Sequence, residues 1–150
     1  MMPAWGPPAS LSPLKVTSAA PAQSAFDYRS VATPATVFYS GPSVAARKVA
    51  VASRYYPVEV LVESGDWLKV RDGNGELAWV EARNLTRKRM VVTTAANGQL
   101  RAKPEPAAQA VAQIERGVVL EFVEAAGAWI KVRHRDGLVG YMPITAVWGG

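Results

Sequence analysis

Few side chains in this chain could do covalent or metal chemistry. There is one histidine, His134, and no cysteine, so neither a thiolate site nor a His-based dyad or zinc site can be assembled readily. No phosphate-cradling glycine loop and no nucleophile elbow occurs, and enzymatic activity, a metal and a cofactor are all unexpected. The run Asp72-Gly73-Asn74-Gly75-Glu76 has the oxygen ligands of a calcium loop, but its glycine spacing is wrong for an EF-hand. It reads as a hairpin turn. What remains is binding chemistry. Trp67 and Trp129 carry large amphipathic rings, Lys69 and Lys131 follow two residues later, and Arg87-Lys88-Arg89 is the dense basic run, with Arg83 nearby.

These residues belong to an internal repeat. Gly65-Asp66-Trp67-Leu68-Lys69-Val70-Arg71 returns as Gly127-Ala128-Trp129-Ile130-Lys131-Val132-Arg133, 62 residues on, and the same offset relates Gly75 to Gly137, Trp79 to Tyr141 and Pro42 to Pro104. Self-similarity at a fixed period means two copies of one structural unit. The division expected is a tail or remnant signal segment over 1–33, one barrel over 34–94 and a second over 95–150.

Period-two alternation assigns the strand faces. Val58, Val60 and Val62 share one face, Leu68 and Val70 another, and Ala78 and Val80 a third, and together they predict the first core. A turn at Ser64-Gly65 sets Glu59 opposite Lys69 on the outer face, a pairing the repeat keeps as Glu121 and Lys131. Such a pair contributes roughly 0.2–1 kcal/mol, enough to set register. The next hairpin sets Lys69 opposite Trp79, with Trp67 diagonal to it, so a Trp-Lys-Trp patch is expected outside the barrel. A helical turn fits 82–85, and residues 87–94 read as the fifth strand of the first barrel. The second copy ends at Val147, before that strand; residues 26–31 or residues 87–94 are the candidates to cover its open edge.

Residues 1–25 are rich in Pro, Ala and Ser and predict a tail without regular structure. Proline breaks each apolar stretch that could serve as a signal, although Ala22-Gln23-Ser24-Ala25 has the form of a cleavage site. No apolar run is long enough to span a bilayer. The net charge of +5 favours acidic partners, or simply keeps a soluble protein apart from its copies.

Short strands with a long loop after the first and a helical turn before the last describe an SH3-like barrel. Gly-x-Trp-x-Lys-Val-Arg, followed by Asp-Gly and an aromatic strand, resembles the bacterial SH3-like domain family over about residues 34–148. The fold implied is all-β, two tandem SH3-like five-stranded small barrels. The resemblance implies a non-catalytic module that binds cell-wall peptidoglycan peptides or a protein partner, in the periplasm or exported. Carried over by position, the family's ligand groove would use Trp67, Trp79, Trp129 and Tyr141; Pro143 and Tyr39 match the proline and tyrosine of peptide-binding SH3 domains. The copies depart from each other here: Glu81 stands at the position of Pro143, and Arg101 at that of Tyr39. Trp67 and Trp129 could equally seal small cores. Two other readings stay open. One is a nucleic-acid-binding barrel using Arg83, Arg87, Lys88, Arg89 and a stacking Trp79; the other is a structural accessory subunit of a cell-wall enzyme. Oligomeric state is not fixed by the sequence.

Overall fold

The computed structural model describes residues 26–149; the expected tail over 1–25 and its cleavage-like segment lie outside the described residues. The first repeat contributes β1 (Tyr28–Val31), β2 (Ala35–Tyr39), β3 (Lys48–Ser53), β4 (Pro57–Ser64), β5 (Trp67–Arg71), β6 (Leu77–Glu81), a 3-10 turn at Ala82–Asn84 and β7 (Leu85–Thr86). The second contributes β8 (Met90–Thr93), β9 (Gly98–Arg101), β10 (Ala110–Ile114), β11 (Val119–Ala126), β12 (Trp129–Arg133), β13 (Val139–Pro143), a 3-10 turn at Ile144–Ala146 and β14 (Val147–Trp148). Each repeat makes its own sheet, in the orders β3-β2-β6-β5-β4-β1-β7 and β10-β9-β13-β12-β11-β8-β14. All pairings are antiparallel, so short connections suffice.

The strand assignment of residues 87–94 is corrected. Met90–Thr93 pairs with β11 (Val91 opposite Leu120) and with β14 (Thr93 opposite Val147), all in the second sheet. The matching role in the first sheet falls to Tyr28–Val31, within the segment offered above as a cover for the second barrel; it covers the first instead, with Ser30 opposite Thr86 and Val31 opposite Leu85. The repeat therefore extends upstream of its recognisable motifs. Alternation was hard to see there because Arg29 stands where the second copy has the buried Val91. Of the two candidates to cover the edge of the second barrel, residues 87–94 do so. The stretch read as a long loop after Gly41 also carries a strand, β3. Its Val49 and Val51 are β-branched but exposed, as expected for an edge strand that pairs only with β2.

Two separate cores result. One gathers Val31, Phe38, Val58, Leu68, Val70, Ala78 and Val80; the other gathers Val91, Leu100, Ile114, Leu120, Ile130, Val132, Met142 and Ala146. Each fully buried Leu or Val stabilises by about 1.5–3 kcal/mol. Barrels this small have little else to hold them.

The second correction concerns register. A bulge between Val60 and Val62 shifts the β4–β5 pairing by one residue, so Glu59 faces Arg71 and Lys69 faces Val62. Simple alternation cannot register an inserted residue. Beyond the bulge β4 stays paired with β5 but runs past the core: Val58 is fully buried, Val60 is half-buried and Val62 is 46% exposed. Val62 is therefore no part of the core. The second copy repeats the device, with Glu121 facing Arg133 and Lys131 facing Glu124.

Candidate ligand groove

The outer face of β5 and β6 is built as alternation demands. Leu68, Val70, Ala78 and Val80 point inward, leaving Trp67, Lys69 and Trp79 half-buried on the other side. Lys69 lies directly opposite Trp79, as expected, while Trp67 lies opposite Glu81. Tyr39, at the end of β2, also pairs with Trp79. Its ring meets Trp67 edge-on at 5.4 Å between centroids and 83° between planes, the geometry aromatic quadrupoles favour. Tyr39 is only 8% exposed. The structure thus brings Tyr39, Trp67 and Trp79 into one cluster on the first barrel, with Tyr39 spending its ring on Trp67.

The second barrel arranges the same positions differently. Trp129 lies opposite Pro143, Lys131 opposite Tyr141, and Arg101 opposite Tyr141. With Arg101 in place of a tyrosine, no ring is set against Trp129 from that position. A groove of about 380 Å³ opens there, lined among others by Asn97, Gln99, Arg101, Pro106, Trp129 and Pro143. Of the residues singled out from the sequence, Trp129 and Pro143 line this groove; Tyr141 is beside it through its pairing with Arg101. Sequence reasoning missed Asn97, Gln99 and Pro106, which come from the β8–β9 turn, β9 and the loop after it. It met Arg101 only as a departure from the first copy. That difference between copies was the available signal, since the matching residues are Ala35, Val37, Val44 and Tyr39.

Electrostatics separate the two faces further. Arg101 donates from Nη1 to the Ala108 carbonyl at 3.0 Å, and among the described residues no carboxylate lies within ion-pair distance of it. On the first barrel Glu81 occupies the position of Pro143 and pairs with Arg83 at 3.3 Å. Further along the same outer face, Glu59 is 7% exposed and accepts from Arg71 Nε at 3.1 Å. This contact raises the affinity of Arg71 for its proton. The Tyr28 hydroxyl, opposite Glu59, is pushed up from its ordinary pKa, first by burial and then by the Glu59 carboxylate, with Arg71 acting in the other direction.

The acidic loop of β5–β6 is a turn. Asp72 Oδ1 accepts from the Asn74 and Glu76 amides, each at 2.9 Å. In the second copy, His134 Nδ1 accepts from the Asp136 amide at 3.1 Å. Among the described residues no three His, Asp or Glu side chains gather to hold a metal ion.

The family model for the bacterial SH3 domain matches twice, over residues 32–86 and 94–149. The chain belongs to the bacterial SH3 domain family. Its two sheets are therefore tandem SH3-like domains, and each contains one of the two aromatic faces described above. A search of curated proteins finds no match. Among solved structures, similar chains include NlpC2 from Trichomonas vaginalis (14% identity, TM-score 0.37, covering 83% of this chain and 48% of that one) and NlpC1 from the same organism (15%, 0.37, 83% and 46%). A third is an NlpC/P60 family protein from Bacillus cereus (12%, 0.38, 81% and 55%). This chain spans about half the length of each.

Proposed function

We propose that this protein is a non-enzymatic tandem bacterial SH3 module of the cell envelope, periplasmic or exported, that recognises peptidoglycan stem peptides or a protein partner displaying a similar peptide. The observation that carries the reading is the groove between Trp129 and Pro143, an aromatic face beside a proline with amide side chains at its rim. Such a site offers apolar area to a peptide side chain and donors and acceptors to its backbone. Trp129, Pro143 and Tyr141 are the contacts assigned on the second barrel. Trp67, Trp79 and Tyr39 are the corresponding cluster on the first. Among the described residues no helix is long and apolar enough to cross a membrane.

The nucleic-acid alternative is less well supported, because its basic residues have partners within the protein. Arg87 faces Asp27 at 4.0 Å and Arg83 faces Glu81. Lys88 sits 4.8 Å from the centre of the Tyr55 ring, and Arg89 lies 3.8 Å from that of Phe122.

Retention on purified sacculi tests the proposal. The parent protein should be retained and a folded Trp129→Ala variant released. No retention of the parent, or equal retention of the variant, would reject it; copurification with a wall enzyme in the absence of retention would favour the accessory-subunit reading instead.

A further inference from the structure

We infer that the two barrels do not share one specificity: the second takes a peptide carboxylate on Arg101, and the first is closed to the same ligand. The inference rests on the peptide-binding reading above and names the group that the groove selects. Three observations converge on it. Arg101 lines the groove together with Trp129 and Pro143, so a cation stands beside the apolar surface. Its Nη1 is held by the Ala108 carbonyl, which fixes the guanidinium while its remaining N–H donors stay available. Among the described residues it has no acidic partner. A half-buried guanidinium without a carboxylate is a site for one, since its planar fork matches two carboxylate oxygens.

The first barrel provides the contrast within the same molecule. Tyr39 replaces Arg101 and packs on Trp67, so no guanidinium stands at that position and a ring covers the tryptophan. Glu81 replaces Pro143, so the apolar proline surface beside the tryptophan is lost and a carboxylate, paired with Arg83 at 3.3 Å, stands in its place. The groove residues Asn97 and Gln99, whose amides can meet a peptide backbone, become Ala35 and Val37. Each change removes a feature that a carboxylate-bearing peptide would use.

Soluble muropeptides released from sacculi by muramidase provide the probe, used as prepared and after carbodiimide conversion of their carboxylates to carboxamides. Binding to the full chain is followed by calorimetry and by the Trp129 indole resonance. The parent should bind the untreated muropeptides and lose about tenfold or more on their amidation. Arg101→Gln should cost about the same with untreated ligand and nothing further with amidated ligand, because both changes remove one contact. Arg101→Lys should recover part of the loss. Should Arg101→Gln fail to fold, the comparison of the two ligands on the parent decides alone. Equal affinity for untreated and amidated muropeptides would overturn the inference and leave the peptide reading standing. Absence of binding to either form would overturn the peptide reading, and the carboxylate inference with it.

Discussion

Tyr55 has a backbone φ of 72°, the only non-glycine residue with a positive φ among those described; the matching residue in the second barrel, Gly117, has a φ of 86°. Both make the same bond, donating from the backbone amide to Val31 at 2.7 Å and to Thr93 at 2.8 Å, so the turn itself requires the left-handed conformation. A side chain there costs about 1–2 kcal/mol that glycine avoids. In the first barrel the Tyr55 ring offsets part of this through Lys88 and Arg54, at 4.8 and 6.0 Å from its centre, contacts of about 0.5–1 kcal/mol at exposed sites. Tyr55→Ala should therefore be less stable than Tyr55→Gly by about 1–2 kcal/mol in denaturant unfolding, and Gly117→Ala should lose a similar amount. Equal stability of the Ala and Gly variants would show that the turn relaxes. The buried carboxylate of Glu59 sets up a second comparison. Arg71→Ala strands a group that is only 7% exposed, whereas Arg133→Ala frees Glu121, whose side chain is 33% exposed. The first substitution should lower the melting temperature clearly more than the second.

At the scale of strands, the alternating segments were legible in the sequence and the interruptions were not. Leu68, Val70, Ala78 and Val80 face inward as period two demands. Trp67, Lys69 and Trp79 face outward for the same reason. The β4 bulge escaped because Val60, Leu61 and Val62 are all apolar, so the pattern contains no polar marker for the inserted residue. Strand β8 was misassigned for a related reason: Met90–Thr93 is buried throughout, and a continuous buried run carries no face information. Its counterpart β1 differs in chemistry as well as position. Burial raises the pKa of Tyr28 above 10.0 with help from Glu59, and burial followed by Asp72 does the same for Tyr56. Above pH 10 the unfolded chain releases these protons before the folded one does, so the folded state holds more protons and stability falls with rising pH. The stabilisation is complete below pH 10 and is lost as pH climbs through the folded values. The second barrel has Met90 and Val118 at these positions. In alkaline denaturant titrations the parent should lose stability above pH 10, and Tyr28→Phe, which has no phenol proton to release, should flatten that loss; an unchanged pH dependence in Tyr28→Phe would contradict the assignment.

For the whole molecule, some positions where the repeat breaks down line the groove and others lie where the barrels touch one another. In the groove, Arg101 and Pro143 replace Tyr39 and Glu81. Others meet at the junction. Trp148, whose counterpart is Thr86, sets its ring edge-on to Tyr28 at 5.4 Å. Gly73, whose counterpart is Arg135, leaves room for that ring: a Cβ there would lie 3.4 Å from Trp148. Gly149, where the first repeat has Arg87, combines a φ of 111° with a Cβ position 2.8 Å from that of Pro57, so no larger residue fits without displacement. Ser30 donates across the junction to the Lys88 carbonyl at 2.9 Å. Sequence comparison between the copies reveals each of these substitutions, but not that they meet, because the contacts run between residues some 60 to 120 positions apart. The consequence is thermodynamic coupling. An edge-to-face aromatic pair contributes about 0.5–1.5 kcal/mol beyond its buried area, and that term is shared by two barrels that are each marginal alone. Calorimetry of the parent should show one cooperative transition. Trp148→Ala should split it in two, with the lower-melting barrel released from its partner, and Gly149→Ala should do the same by forcing Pro57 away. A single transition at the parent midpoint in both variants would mean that the barrels fold independently of this contact.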